Sequence, residues 1–506
     1  MLAQKRIGGN AMEANHVFTK QEILEMFDAI VDKTLGEIDK NKVFEYKPKN
    51  KGIAGHVIEK SVLGYPLDSK PRPDIVVDGI DIEVKTTGLK LPEKLRKDIG
   101  DRTLTAKEKK NLIPKERMSV TGVFLEEADI TQEEFDESHL WSKLEHLLFV
   151  YYFYNSKDKV STQEYKKFFV QGYHFYDMTP LDKKRIKNDW NIVRDFIIKQ
   201  KIDNPDNPEV GYPQISRLTE NMMVMDTAPK WPNKPRFRLK ETFLKEIIHQ
   251  HFDKNPHIRD SNVTSFTEFD NILHAFSEKY KGKSLEEIMI DMNLNINDNK
   301  GIIERVMAKY FGSAEAKLKN IELFSKVGII PKSITLSVDG KRTEDTKFSS
   351  VNFDDWTNAS DFEESDIFSY FSDHNFVFLI FEEAYKDSPL KKNKFVGFKR
   401  LIFDEEFINS EIKKLWKRTK ELVDNKKLEE IVYRYKRTNE IIYNKNGKPK
   451  TYLNFPKSTE GKAFLRGTGT DSSRKPEEVN GIKMYKQYFW LRGDFMVSLL
   501  DKRDFI

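Results

Sequence analysis

Five landmarks recur in the same order along this chain, and an internal repeat constrains a fold more than any single motif does. Phe18-Thr19 opens a helical pattern with Ile23, Leu24 and Phe27 on one face. Phe266-Thr267 opens another, with Ile272, Leu273 and Phe276. Threonine predicts an N-cap in both. Asn50-Lys51-Gly52-Ile53 answers to Asn299-Lys300-Gly301-Ile302. An apolar run follows in each half, Leu147–Tyr154 and Phe376–Phe381. Next come basic amphipathic helices with one tryptophan each, Trp190 and Trp416. Phe237-Arg238-Leu239-Lys240 and Phe489-Trp490-Leu491-Arg492 then lead into apolar helices. The order predicts a tandem duplication: an extension 1–14, a first domain 15–250, a polar linker 251–265 and a second domain 266–506. Each half mixes amphipathic helices with short β-branched or aromatic runs, so the expected fold class is mixed α/β.

Composition bounds the function. Of 506 residues 38% are hydrophobic and 12% aromatic, too apolar for a disordered chain. Lys+Arg (86) and Asp+Glu (81) nearly cancel, leaving +5. That balance permits a nucleic-acid partner if the bases cluster, and does not demand one. With no cysteine, disulfides, thiolate chemistry and Cys-ligated zinc are excluded. The apolar runs are far shorter than the roughly 20 residues that span a bilayer, and read as buried strands. No apolar signal segment opens the chain, and Met12 is a possible second start. The expectation is a soluble, cytoplasmic protein.

The most chemical stretch is Pro73-Asp74-Ile-Val-Val-Asp78-Gly79-Ile-Asp-Ile-Glu83-Val84-Lys85. It reads as strand, tight turn, strand. Alternation puts Asp81, Glu83 and Lys85 on one face, and across the hairpin Asp74 comes level with Glu83. Two carboxylates beside an ammonium suit phosphodiester hydrolysis. Mg²⁺ takes oxygen ligands and typically one or two protein carboxylates, and a lysine stabilises developing negative charge. Glu59, on the preceding apolar helix Gly55–Leu63, offers a further carboxylate, and a second ion is possible. Glu-x-Lys alone carries nothing, since Glu45/Lys47, Glu108/Lys110, Glu164/Lys166, Glu315/Lys317 and Glu411/Lys413 share it. The proline before Asp74, the β-prone context and the upstream Lys-Gly–helix–Glu element set this triplet apart.

Lys51-Gly-Ile-Ala-Gly-His-Val-Ile-Glu59, Lys70-Pro-Arg-Pro-Asp74 and Glu83-Val-Lys85 resemble the MutH branch of the PD-(D/E)xK nucleases. Ser138-His-Leu-Trp-Ser-Lys143 and the Trp190 helix follow in the family's order. With the duplication, the resemblance narrows to two-domain restriction enzymes of the Sau-three-A type. It implies two restriction-endonuclease-like domains, each a mixed central sheet flanked by helices. Glu59, Asp74, Glu83 and Lys85 are then the catalytic set, with Asp74, Glu83 and Val84 around one or two Mg²⁺. Lys51, Lys143, Arg217 and Lys240 are the corresponding DNA contacts. The implied substrate is duplex DNA at GATC, cut 5′ of the G by a type II restriction endonuclease. One departure stands: the family places its Glu two residues after the turn glycine, whereas Glu83 is four after Gly79, so Asp81 competes for the metal.

Aligned on Lys51/Lys300, the second half has Ala308 at the Glu59 place and Ile330-Pro331-Lys332 at Glu83-Val84-Lys85. Near Asp74 the candidates are Asn320 and Glu322. Isoleucine cannot ligate Mg²⁺ and proline breaks ladder pairing, so this half is expected to be inactive. Tyr452-Leu-Asn-Phe-Pro456-Lys457-Ser-Thr-Glu-Gly-Lys462 nonetheless resembles the family's base-reading loop. Lys300, Pro456, Lys457, Lys462 and Arg492 are its expected DNA contacts. The half reads as an effector that binds a second GATC and activates cutting by the first, with a purely structural lobe as the alternative. The chain is expected to be a monomeric pseudo-dimer, free to dimerise on DNA. Its rivals are a MutH-type strand-nicking enzyme and a non-catalytic DNA-binding regulator. Leu91–Arg117 reads as a mobile basic loop, His249-Gln-His251 as a linker or helix-end polar pair, and the two tryptophans as core.

Overall fold

A computed structural model describes residues 16–46, 52–65, 72–92, 95, 99–125, 130–156, 160–253, 262–296, 301–312, 318, 321–338, 343–359, 361–444, 447–469 and 475–506. The chain divides into two compact units, Met1–Ile258 with Asn262–Phe266 and Arg259–Ser261 with Thr267–Ile506.

Among its described residues the first unit has nine strands: β1 (Val17–Phe18), β2 (Ile75–Val77), β3 (Ile80–Lys90), β4 (Ile113–Pro114), β5 (Met118–Gly122), β6 (His146–Phe153), β7 (Val170–Asp177), β8 (Met225–Ala228) and β9 (Arg236–Leu239). The main sheet runs β1-β2-β3-β6-β7, with β4 paired to the far end of β3, and β5-β9-β8 form a second sheet. The β3–β6 pair is parallel, while β2–β3 and β6–β7 are antiparallel. A run such as Leu147–Phe153, buried at every position, is what a central strand covered on both faces requires. One face of the sheet closes a core of Ile23, Phe27, Ile53, Val57, Ile75, Ile82, Leu148 and Val150. The helix Lys20–Asp28 starts at Thr19, whose hydroxyl and Glu22 form a capping box. The expected cap is present there. In the second half the helix Phe266–Tyr280 begins a residue before Thr267, so that threonine lies in the first turn instead of capping it.

Leu91–Arg117 is not a free loop where it is described. Leu91, Ile99, Leu104 and Leu112 are buried, Thr105 caps the short helix Ala106–Lys109, and β4 pairs with β3. Its apolar residues, spaced among the lysines, anchor it to the sheet. At the end of the stretch read as a linker, the carbonyls of Val263 and Thr264 accept bonds from Arg185 Nε (3.0 Å) and Asn188 Nδ2 (2.9 Å) on the helix Pro180–Asp203.

The second unit contributes β10 (Ile329–Leu336), β11 (Thr346–Ser350), β12 (Asn375–Glu382), β13 (Lys394–Leu401), β14 (Glu430–Val432), β15 (Thr451–Leu453), β16 (Ala463–Gly467), β17 (Glu477–Val479), β18 (Ile482–Met484) and β19 (Gln487–Leu491). Its sheets are β10-β12-β13 and β11-β19-β16, with two-stranded ribbons β14-β15 and β17-β18. The β10–β12 pair is parallel and β12–β13 antiparallel, the same sense as β3-β6-β7. Both antiparallel pairs are irregular at the same step, between Tyr151 and Tyr152 near Gly172 and between Ile380 and Phe381 near Gly397. Aligning these irregularities sets Ile330 opposite Phe376 where Glu83 is opposite Leu147. Pro331 does not break β10, contrary to expectation. β10 is an edge strand among the described residues, and an edge tolerates a residue without an N–H. Trp190 and Trp416 are both buried.

Candidate active site

The site starts from a two-residue turn. Asp78 and Gly79 both have positive φ, 49° and 81°, as a type I′ hairpin turn requires, and Asp-Gly supplies it at little cost. The turn sets the register Val77↔Ile80, Val76↔Asp81, Ile75↔Ile82, and one step further brings Asp74 level with Glu83. Asp74 Oδ2 accepts the Val84 N–H at 2.8 Å. The carboxylate is thus oriented by the backbone of the strand that carries Glu83. Behind it, His16 Nδ1–H donates to the Asp74 carbonyl (2.8 Å), and the ring stacks on Tyr65 with centroids 4.2 Å apart. Nothing in the sequence pattern marked His16; only the parallel β1–β2 pairing brings it there.

Glu83 is 3% exposed, and such a carboxylate needs partners. It has two. Lys85 Nζ lies 2.7 Å from Oε1, and Lys143 Nζ lies 3.0 Å from Oε1 and 2.9 Å from Oε2. Lys143 arrives from 60 residues away on the short helix His139–Ser142. That helix is capped by Ser138 Oγ, which accepts the Trp141 N–H. Trp141 is buried and packs against Phe135, which fixes the point where Lys143 leaves the helix. Asp74 is pushed up to about 6, first by burial and then by the charge of Glu83, against the opposing pull of Lys85, Lys143 and the Val84 amide. Two carboxylates and two ammoniums therefore balance when both acids are ionised.

The other expected residues fall out differently. Glu59 sits on the π-helical turn Ile58–Val62 that continues the helix Ile53–Val57. Among the described residues no group of three or more acidic or imidazole side chains is placed to hold a metal ion. Asp81 is exposed toward the turn and takes no part in the lysine contacts. Val84 buries its side chain and turns its amide, a donor, to Asp74; only its carbonyl is left for a cation. Arg217 is exposed on the 3₁₀-helical stretch Pro208–Asn221. Lys51 and Lys300 lie outside the described residues.

Lys240 is a correction. It is 1% exposed and donates to the carbonyls of Met222 (2.6 Å) and Met223 (3.4 Å), opposite Asp189. The carboxylate of Asp189 accepts the amides of Met223, Val224 and Met225. Phe237 and Leu239 point into the core, and the chain turns into the helix Glu241–Phe252 right after Lys240. The ammonium is thereby drawn inside, where it holds the fold and is out of reach of DNA. His251 of the His-Gln-His stretch stacks on His174, centroids 4.3 Å apart, within an aromatic cluster.

In the second unit Ala308 is buried and Ile330 stands at the Glu83 register. Asn320 lies outside the described residues, and Glu322 is paired with Lys326 at 2.8 Å. No strand equivalent to β2 flanks β10 among the described residues. Only the lysine remains. Lys332 Nζ donates to the Lys347 carbonyl (3.1 Å) and lies 5.4 Å from the Phe348 ring centre, and burial lowers it to about 8. Pro456 is buried, Lys457 Nζ lies 3.6 Å over Tyr452, and Lys462 Nζ lies 4.9 Å over Phe495. Arg492 is held by Asp494, Nε to Oδ1 at 3.0 Å.

A mixed sheet that brings Asp74, Glu83 and two lysines together at one hairpin defines a nuclease-like domain. Residues 63–189 match the family model for MutH, the DNA mismatch repair enzyme, and this stretch is a MutH family domain of PD-(D/E)xK nuclease-like type. The match takes in Asp74, Glu83, Lys85 and Lys143, and leaves out Glu59 and the second unit. No curated protein matches the chain. Among the described residues no helix is long and apolar enough to cross a membrane.

Proposed function

We propose that the chain is a Mg²⁺-dependent type II restriction endonuclease that hydrolyses duplex DNA at GATC, 5′ of the G, with its one active site in the first unit. The observation that carries this reading is the meeting of Asp74 and Glu83 under two ammoniums. The donor set fits a hard divalent cation: two carboxylates, one of them raised by burial and then by the charge of the other, with the Val84 carbonyl alongside. When bound, Mg²⁺ would supply an activated water and offset the phosphate charge. Asp74 and Glu83 would hold it, by one or both of their oxygens. Lys85, fixed on Glu83, orients the attacking water, and Lys143 faces the phosphate.

The second unit, without carboxylates at the matching register, is proposed as a DNA-binding effector that takes a second GATC duplex. Plasmid digestion tests the whole reading. Cutting should require Mg²⁺, stop in chelator, map 5′ of the G of GATC, and disappear in Asp74→Ala. An uncleavable GATC duplex added in trans should speed cutting of a one-site plasmid; an unchanged rate removes the effector role. The family match favours one second reading, a MutH-type strand-nicking enzyme. Nicked circles as the final product would establish it over double-strand cleavage.

A further inference from the structure

Between the tryptophan helix Lys413–Asp424 and β16 the second unit extends a projection that has no core. Its stem pairs Glu430–Val432 with Thr451–Leu453. Beyond the stem the chain divides into two turns. One is closed by the Tyr435 N–H on the Glu440 carbonyl (2.9 Å), the other by the Asn444 N–H on the Lys448 carbonyl (2.8 Å). The turns are joined through Ile442, whose N–H donates to Tyr433 and whose carbonyl accepts from Lys450. From Tyr433 to Lys450 every described side chain is exposed except the half-buried Ile441 and Ile442. In the first unit the interval after the tryptophan helix is the 3₁₀-helical Pro208–Asn221, so the projection belongs to the second unit alone.

What it exposes is specific. Tyr435 and Tyr443 are 55% and 59% exposed. Val432–Tyr452 carries six lysines and arginines against one acid, Glu440, in a chain whose acids and bases otherwise nearly cancel. Lys436 and Arg437, at the tip of the first turn, make no ion pair among the described residues. Lys450 and Lys457 lie over Tyr433 and Tyr452 at 5.3 and 3.6 Å, and those two rings pack at 4.5 Å. A two-stranded ribbon without a core of its own is marginal by itself, and a clustered basic stretch is the electrostatic footprint of a nucleic-acid partner. We infer that the projection Glu430–Leu453 is a DNA-binding arm that seats its tyrosine- and lysine-bearing turns in a groove of duplex DNA. The major groove admits a two-stranded ribbon, lysines and arginines neutralise the phosphates on either side, and the tyrosines lie against sugar and base edges. The inference rests on the reading of this chain as one that acts on duplex DNA.

Photo-crosslinking of the full chain tests it. A photoreactive p-benzoylphenylalanine replaces Tyr443, or Tyr435, and the chain is irradiated with labelled GATC duplex in chelator. As a control the same group replaces Tyr385, 58% exposed outside the arm. The arm positions should form an adduct at least tenfold above the control, competed by unlabelled duplex. Lys436→Glu with Arg437→Glu should reduce the adduct at least fivefold and leave the melting temperature unchanged. If the chain shifts duplex in a gel yet the arm positions crosslink no better than Tyr385, the arm assignment is wrong and the nuclease reading stands. If the chain binds no duplex at all, both fall. Adducts formed with polyglutamate but not with duplex would make the arm a protein-docking element and overturn the proposal.

Discussion

Asp74 is raised to about 6 from an ordinary value near 3.8, so the folded chain holds its proton more tightly than the unfolded one. The stability this contributes is full below about pH 4 and is lost as pH rises through about 6. At pH 7.5, in chelator, the ionised group costs the fold roughly 3 kcal/mol at most, from two pH units at about 1.4 kcal/mol each. Asp74→Asn should therefore melt higher than the parent chain in EDTA at pH 7.5, match it near pH 4, and cut no DNA. Mg²⁺ should raise the melting temperature of the parent at pH 7.5 and leave the variant unmoved. Lys143 makes a second case, because its ammonium spans both oxygens of Glu83. Lys143→Met removes a positive charge from the site. The rate at saturating Mg²⁺ should fall about 10²-fold, on the scale of losing one transition-state donor, while half-saturation shifts to lower Mg²⁺. A Mg²⁺ titration of cleavage checks both, and a rise in half-saturation would contradict the assignment.

At the scale of elements, the hairpin β2–β3 is the part on which the site depends most. Gly79 holds φ +81° with open space around its Cα, so a side chain there meets backbone strain and no clash. Gly79→Val should cost about 1–2 kcal/mol and depress cleavage, since a slipped register turns Glu83 to the other face. Asp78→Asn keeps a residue that tolerates left-handed backbone and should stay within about twofold of the parent rate. Melting curves and plasmid assays of the pair separate strain from chemistry. The short helix His139–Ser142 is the other positioning element. Its cap at Ser138 and the buried Trp141 decide where Lys143 emerges.

For the whole molecule, one carboxylate pair per chain has a kinetic consequence. Duplex DNA has two antiparallel strands, and a single site cuts one at a time. Linear product should therefore appear either after a nicked circle or with second-order dependence on chain concentration. Direct, first-order formation of linear DNA would require a second cutting centre, which the register of Ile330 and the lack of a β2 equivalent among the described residues argue against. The hairpin, the apolar strands and the pairing of Asp74 with Glu83 were readable from the residues, because alternation and an Asp-Gly turn act over a few positions. So was an isoleucine, Ile330, at the position aligned with Glu83. The placing of His16 behind Asp74, of Lys143 on Glu83, of Lys240 in the core and of Pro331 on an edge strand was decided only by the tertiary structure. Each depends on contacts between segments distant in the chain, where burial and sheet position, not residue type, determine whether an ammonium faces solvent, a carboxylate or a carbonyl.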